Sequence, residues 1–163
     1  MGMNPLDYHD CFVCPNYQDF CEEENNVRKG FNAALSASHM SDNYYNYYKA
    51  NDPGKISSFK KLKDFKVYLS SKTPYFDDIQ SIANAYKHLY TRSSQPHVTI
   101  ESGGVITSIQ IHGNNVVEID GCGTDDSGKN VVIYTRKDLT KARLKKALNH
   151  VLDIWKDILF PDL

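Results

Sequence analysis

Between Glu24 and Lys49 the positions Val27, Phe31, Ala34, Leu35, Ser38, Met40 and Tyr45 recur at spacings of three and four, the period of a helix with one buried face. Good helix formers fill the gaps, so the spacing predicts one long amphipathic helix. Asn51-Asp52-Pro53-Gly54 ends it, because proline and glycine together stop a helix and turn the chain. A second helix is expected after Ser57 or Ser58 as its cap, with Phe59, Leu62, Phe65 and Leu69 on one face, stopping near Ser70-Ser71-Lys72-Thr73-Pro74. A third begins near Tyr75, places Asp77 and Asp78 at its positive end, and carries Ile79, Ile82, Ala83, Tyr86 and Leu89 or Tyr90 inward. Arg92-Ser93-Ser94-Gln95-Pro96 closes it.

From His97 the period falls to two. Val98–Glu101, Val105–His112, Val116–Asp120 and Val131–Thr135 are short β-branched runs, separated by Gly103-Gly104, Gly113-Asn114 and a Gly/Asp/Ser loop. That pattern predicts an antiparallel meander. Helical periodicity returns from about Asp138 to Phe160, where Leu144, Leu148, Val151, Leu152, Trp155, Ile158 and Leu159 form a broad apolar stripe ended by Pro161. The expected class is α+β, a helical bundle whose fourth member follows a β excursion. One domain, residues 1–163, would hold the helical part (24–93), the meander (97–135) and the C-terminal helix (138–160).

Composition adds little bias. Of 163 residues, 40% are apolar and 24% charged, as in a soluble globular chain, and the formal net charge of -1 gives the whole molecule no pull toward nucleic acid or membrane. The charges are segregated: Asp7, Asp10, Asp19, Glu22, Glu23 and Glu24 precede Arg28, the first lysine or arginine. Lys55, Lys60, Lys61, Lys63 and Lys66 form one basic stretch, and Arg136, Lys137, Lys141, Arg143, Lys145 and Lys146 another; such runs are ordinarily solvated helix faces. No apolar run approaches the roughly 20 residues that cross a bilayer, and the start lacks a signal-peptide pattern. A cytoplasmic protein with no membrane partner is expected. Four cysteines suit free thiols in a reducing compartment.

Candidate chemistry centres on Asn84, Lys87 and His88, which put an amide, an ammonium and an imidazole on one stripe of the third helix. Asn32, Ser36, His39 and Asn43 recur at four, three and four on the long helix, with Asp42 one turn from His39 and able to orient it. If the two helices are neighbours, these stripes face each other across a polar groove, or satisfy one another as a core network. An imidazole there is a candidate general acid or base. The window Ala83-Asn84-Ala85-Tyr86-Lys87-His88 resembles the helix motif of the HEPN superfamily, an arginine followed commonly by asparagine, three variable residues and histidine. That resemblance implies a bundle of four or five helices, frequent dimers and, in many members, ribonuclease activity from the arginine and histidine. Asn84 and His88 match the motif, while Ala83 stands at its arginine position.

Three further groups carry weight. His9-x-Cys11-x-x-Cys14, with Cys21 further on, has the ligand types and part of the spacing of a zinc knuckle, and packed thiols are the other reading. The acidic loop Asp120–Gly128 reads equally as a hairpin connection or a cation loop. Tyr44-Tyr45-Asn46-Tyr47-Tyr48 wraps right round its helix, so some rings face outside the local core, which suits a homodimer seam or a base-stacking surface. The function expected is a non-catalytic binding module without cofactor. Asn32, Ser36, His39, Asp42, Tyr44 and Tyr47 would form its binding surface, and RNA or a nucleotide is a ligand class considered. The alternative is a metal-independent ribonuclease of HEPN type using His88, with Asn84 and Lys87 positioning phosphate.

Overall fold

The computed structural model describes residues 3–87, 98–99, 105–114 and 116–161 of the chain. Its class is α+β, a helical bundle with a small sheet inserted before the last helix. Helix α1 (Pro5–Tyr8) is capped by Asn4, whose side chain accepts the Asp7 N–H at 2.8 Å, with Pro5 in the first turn where no helical bond is lost. A π turn (His9–Val13) leads into α2 (Cys14–Glu22). Sequence periodicity assigned nothing before Glu24. The buried positions Val13 and Phe20 are too few to show a period, and cap and proline chemistry carry this start instead.

Helix α3 (Val27–Asn51) is the long helix expected, capped by Asn26 accepting the Lys29 N–H at 3.2 Å. Helix α4 (Leu62–Lys72) begins later than the serines suggested. Ser57 donates its hydroxyl to the Gly54 carbonyl at 2.9 Å in a 3₁₀ turn (Pro53–Ile56), so it is spent before the helix starts. Asp64 instead reaches back to accept the Lys61 N–H at 3.1 Å. Helix α5 (Tyr75–Lys87) starts as expected; its expected end at Arg92–Pro96 lies outside the described residues. Helix α6 (Leu144–Leu159) completes the bundle.

The core between these helices is aromatic. Tyr44 stacks on Phe65 at 5.3 Å between ring centres, and Trp155 lies 5.9 Å from Tyr44 and 6.2 Å from Phe65. Buried Ala33, Ala34 and Ala37 let α3 approach its neighbours, and α3 packs directly against α5 and α6.

The sheet is mixed rather than a simple meander. Strands β1 (Val98–Thr99) and β2 (Ile106–Gln110) pair antiparallel with one edge of β4 (Asn130–Arg136); β5 (Lys141–Arg143) pairs antiparallel with the other edge. Strand β3 (Ile119–Asp120) joins β5 in parallel. Residues 141–143, read from sequence as the first turn of the last helix, are therefore strand. Lys-Ala-Arg has no β signature of its own, and the pairing with β4 decides it. Strand β4 is buried on both faces: Val132 and Tyr134 enter the helical core, whereas Val131 and Ile133 join Ile111, Val116 and Ile119 in a second cluster.

Residues 137–140 join β4 to β5, and the hydrogen bond between Arg136 and Thr140 closes a three-residue turn over 137–139. The Leu139 N–H donates to the Arg136 carbonyl at 2.9 Å, and the Arg136 N–H to the Thr140 carbonyl at 2.8 Å. Leu139 takes φ 70°, the left-handed position that such loops usually give to glycine, and its side chain is 72% exposed. A left-handed leucine costs roughly 1–2 kcal/mol, only part of it offset by the greater freedom of glycine in the unfolded chain. Leu139→Gly is therefore expected to raise stability by roughly 0.5–1 kcal/mol in urea unfolding. A lower midpoint would show that the turn is not held in this geometry.

Candidate functional site

Where the sheet meets the start of α6, the chain forms an open cleft of about 310 Å³ lined by Gly121, Arg143, Lys145, Lys146, Asn149 and His150. Strand β5 runs straight into α6, so Arg143, Lys145 and Lys146 arrive together from one short stretch. No side chain of Arg143 caps the helix, and the positive end of its dipole adds to the local field. Gly121 permits the close fit. It has φ +92°, and a Cβ there would stand 2.8 Å from both Cβ and Cδ of Lys146.

Each cation is held by a carboxylate. Arg143 donates through Nε to Glu24, and through Nη1 to Asp126 at 3.0 Å and to the Gly121 carbonyl at 3.4 Å. Lys145 reaches Glu24 at 3.3 Å, and Lys146 reaches Asp120 at 2.6 Å. Glu24 also accepts the Val132 N–H on its backbone carbonyl at 3.1 Å, which fixes the α2–α3 turn to the sheet. Behind the lysines lies a second layer. Tyr75 donates its hydroxyl to Asp120 at 2.8 Å and stacks on His150 at 4.7 Å and 15°. Arg136 donates through Nε and Nη2 to buried Asp78, both at 2.8 Å, and Tyr134 donates to the same carboxylate at 2.7 Å.

These contacts set the protonation of the cleft. The hydrogen bond to Asp120, then that to Tyr75, holds the Lys146 ammonium above the ordinary lysine range. Burial, then the bond to Asp120, pushes the Tyr75 phenol up. For Asp120, burial is the largest single effect and raises its pKa; the bonds from Lys146 and Tyr75, with the charges of Lys146 and Arg136, together outweigh it and hold the carboxyl below the ordinary 3.8. Asp126 is likewise lowered, chiefly by the Gly123 backbone N–H.

The residues singled out from sequence are distributed differently. His88 lies outside the described residues, and of the Lys87 side chain nothing is described. Asn84 is exposed, while Ala83, at the arginine position of the HEPN motif, is buried in the core. The helices bearing the two polar stripes do pack together, but Ser36 is buried and donates its hydroxyl to the carbonyls of Asn32 and Ala33 at 3.0 and 3.1 Å, so it serves its own helix rather than a groove. Asn32 and His39 are half-buried. Asp42 pairs with Lys66 of α4 at 3.0 Å, and Asn43 donates to the Met3 carbonyl at 3.0 Å. Tyr44 is not available to a ligand, because its ring is locked between Phe65 and Trp155; Tyr47 is half-buried against Tyr48.

Among the zinc-type residues, His9 and Cys14 come together, with Asp10; Cys11 is exposed and Cys21 neighbours Tyr17. The cleft residues escaped sequence reading because Arg136–Lys146 looks like a solvated basic run. Only strand pairing brings Asp120 and Gly121 beside the start of α6. Comparison with family models, with curated proteins and with solved structures gives no match for this chain.

The lowered carboxyls make an acid test. A group whose folded pKa is depressed contributes stability that is complete above its unfolded value and disappears as pH falls through the folded value. Asp120 and Asp126 should therefore give a melting temperature that drops as pH falls below about 4. Asp120→Asn is expected to lower the neutral-pH melting temperature and to flatten that acid slope. Equal slopes in both proteins would remove Asp120 from the account.

Proposed function

We propose that the chain is a non-catalytic binding module and that its ligand is a nucleotide, free or at an RNA end, received by the cleft at the start of α6. The observation that carries this reading is the convergence of Arg143, Lys145 and Lys146 beside the imidazole of His150. Cations supply charge-assisted hydrogen bonds to phosphate. His150 is exposed and already stacked on Tyr75, so its free face can take a base. Asn149 offers an amide at the same wall, although Tyr17 donates to its oxygen. The volume lies near the lower end of the range for small-molecule pockets, enough for a mononucleotide but not a duplex.

The donor set favours binding over covalent catalysis. Among the described residues the lining offers no hydroxyl or thiol nucleophile, and Lys146 is held as an ammonium by Asp120. A homodimer through the tyrosine-rich helix would use Tyr47, and is independent of this site.

The test is calorimetric titration of the full chain with a 5′-mononucleotide, its nucleoside and inorganic phosphate. The nucleotide should bind most tightly, and more weakly as salt is raised. Lys145→Ala and His150→Ala should each weaken it on the order of tenfold or more, the loss expected for one charge-assisted or stacking contact. Equal affinity for nucleoside and nucleotide, or no effect of either substitution, would sink the proposal. The ribonuclease reading is separated by incubation with mixed RNA: cleavage present in the parent chain and lost in His88→Ala would replace binding by catalysis.

A further inference from the structure

At the other end of the molecule, a π turn interrupts the helix that runs from Pro5 to Glu22. The Cys14 N–H donates to the His9 carbonyl, five residues back, and this widened turn changes which side chains coincide. In a regular helix, residues five apart point about 140° away from each other. Here the Cys14 sulfur lies 3.4 Å from Nε2 and 3.6 Å from Nδ1 of His9, and His9 Nδ1 lies 2.8 Å from the Asp10 carboxylate. One ligand atom from each of the three residues falls within 4.8 Å of the other two. His9 is buried, Cys14 is half-buried and Asp10 is exposed, so the cluster has a floor and an open side.

Two chemistries compete for such a set. A cysteine–histidine nucleophile needs the sulfur on the lone-pair axis of a ring nitrogen. Near-equal distances to both nitrogens instead place the sulfur over the ring. Burial, and next the Asp10 charge, also push the Cys14 thiol up, against the thiolate such a nucleophile requires. A divalent cation reverses both effects, because it is attracted to the carboxylate and stabilises the thiolate.

We propose that His9, Asp10 and Cys14 form a zinc site with its fourth position open to water. Zinc bonds of about 2.3 Å to sulfur and about 2.0–2.1 Å to nitrogen, at a tetrahedral angle, set those atoms about 3.5 Å apart, which matches the spacing present. The combination of thiolate, imidazole and carboxylate favours zinc over the hard cations calcium and magnesium. Binding would require the His9 ring to turn toward the shared ion, and the three ligand atoms already lie within 4.8 Å of one another. Cys11 and Cys21 take no part, which distinguishes this set from a knuckle built on the Cys-x-x-Cys spacing. The site is independent of the α6 cleft, so either proposal can fail alone.

The experiment titrates cobalt(II), as a spectroscopic stand-in, and then zinc into the chelator-treated full chain. About one equivalent of cobalt should give tetrahedral visible bands with a sulfur-to-metal charge-transfer band, and zinc should displace it. Cys11→Ser should behave as the parent. Cys14→Ser should lose the charge-transfer band, and Asp10→Asn should bind at least tenfold more weakly. Zinc should raise the melting temperature of the parent and Cys11→Ser but not of Cys14→Ser, which also checks that each variant is folded. No charge-transfer band in the parent, its survival in Cys14→Ser, its loss in Cys11→Ser, or unchanged affinity in Asp10→Asn would overturn the site.

Discussion

The buried carboxylate of Asp78 is the constraint around which helices and sheet are joined. It sits in the first turn of α5, 3% exposed, where an unpaired charge would be prohibitive. Arg136 and Tyr134, both from β4, satisfy it, so the pair fixes the angle between α5 and the central strand rather than merely adding attraction. Breaking such a pair by removing one partner typically costs about 3–5 kcal/mol, because the other is left buried and charged; Arg136 is partly solvated, which puts this case toward the lower end. The same guanidinium lies 5.5 Å from the Tyr75 ring and 3.7 Å from Asp120, so the joint extends outward to the rim of the cleft. Fold and candidate site share these residues.

Glu24 plays the complementary role at the opposite side of the cleft. Its carbonyl continues the hydrogen-bonding edge of β4, and its carboxylate gathers Arg143 and Lys145. The turn between α2 and α3 is thereby tied to both the sheet and the start of α6. Segments far apart in sequence, at residues 24, 75–78, 120–126 and 136–150, converge on one charged layer. Its geometry is specified by hydrogen bonds with direction, whereas the aromatic core behind it is specified by volume.

That difference explains what the chain discloses before folding. The long helix α3 and the stripe of α6 were legible because Val27 to Tyr45 and Leu144 to Leu159 repeat at the helical period. The period-two runs disclosed β2 and β4. Strand β5 was not legible, because Lys141-Ala142-Arg143 has helical propensity and becomes strand only by pairing with β4. Neither was the cleft, since no local pattern announces that Asp120 and Lys146 will meet. His9 and Cys14 were visible as ligand types, but it is the π turn that brings Cys14 onto His9, beside the neighbouring Asp10, and spacing rules for regular helices do not anticipate it. Tyr44 shows the converse error: a ring that seemed surplus to the core is at its centre.

Every lysine and arginine of the cleft is already paired, and this bears directly on what the cleft can do. Three cations within one turn repel each other, and Glu24, Asp120 and Asp126 are what let them gather without a ligand. The phosphate of the proposed ligand would therefore compete with those carboxylates rather than fill a bare positive hole. Lys145 is the group best placed to be shared, because its contact with Glu24 is the longest of the lysine pairs here at 3.3 Å and Glu24 keeps Arg143 when it leaves. Lys146 is the worst placed, pressed against Gly121 and bonded to Asp120 at 2.6 Å. Under the proposed nucleotide role, recognition would accordingly rest on exchange at Lys145 and stacking at His150, on a frame held by the pairing of Lys146 with Asp120 and of Arg143 with Glu24 and Asp126.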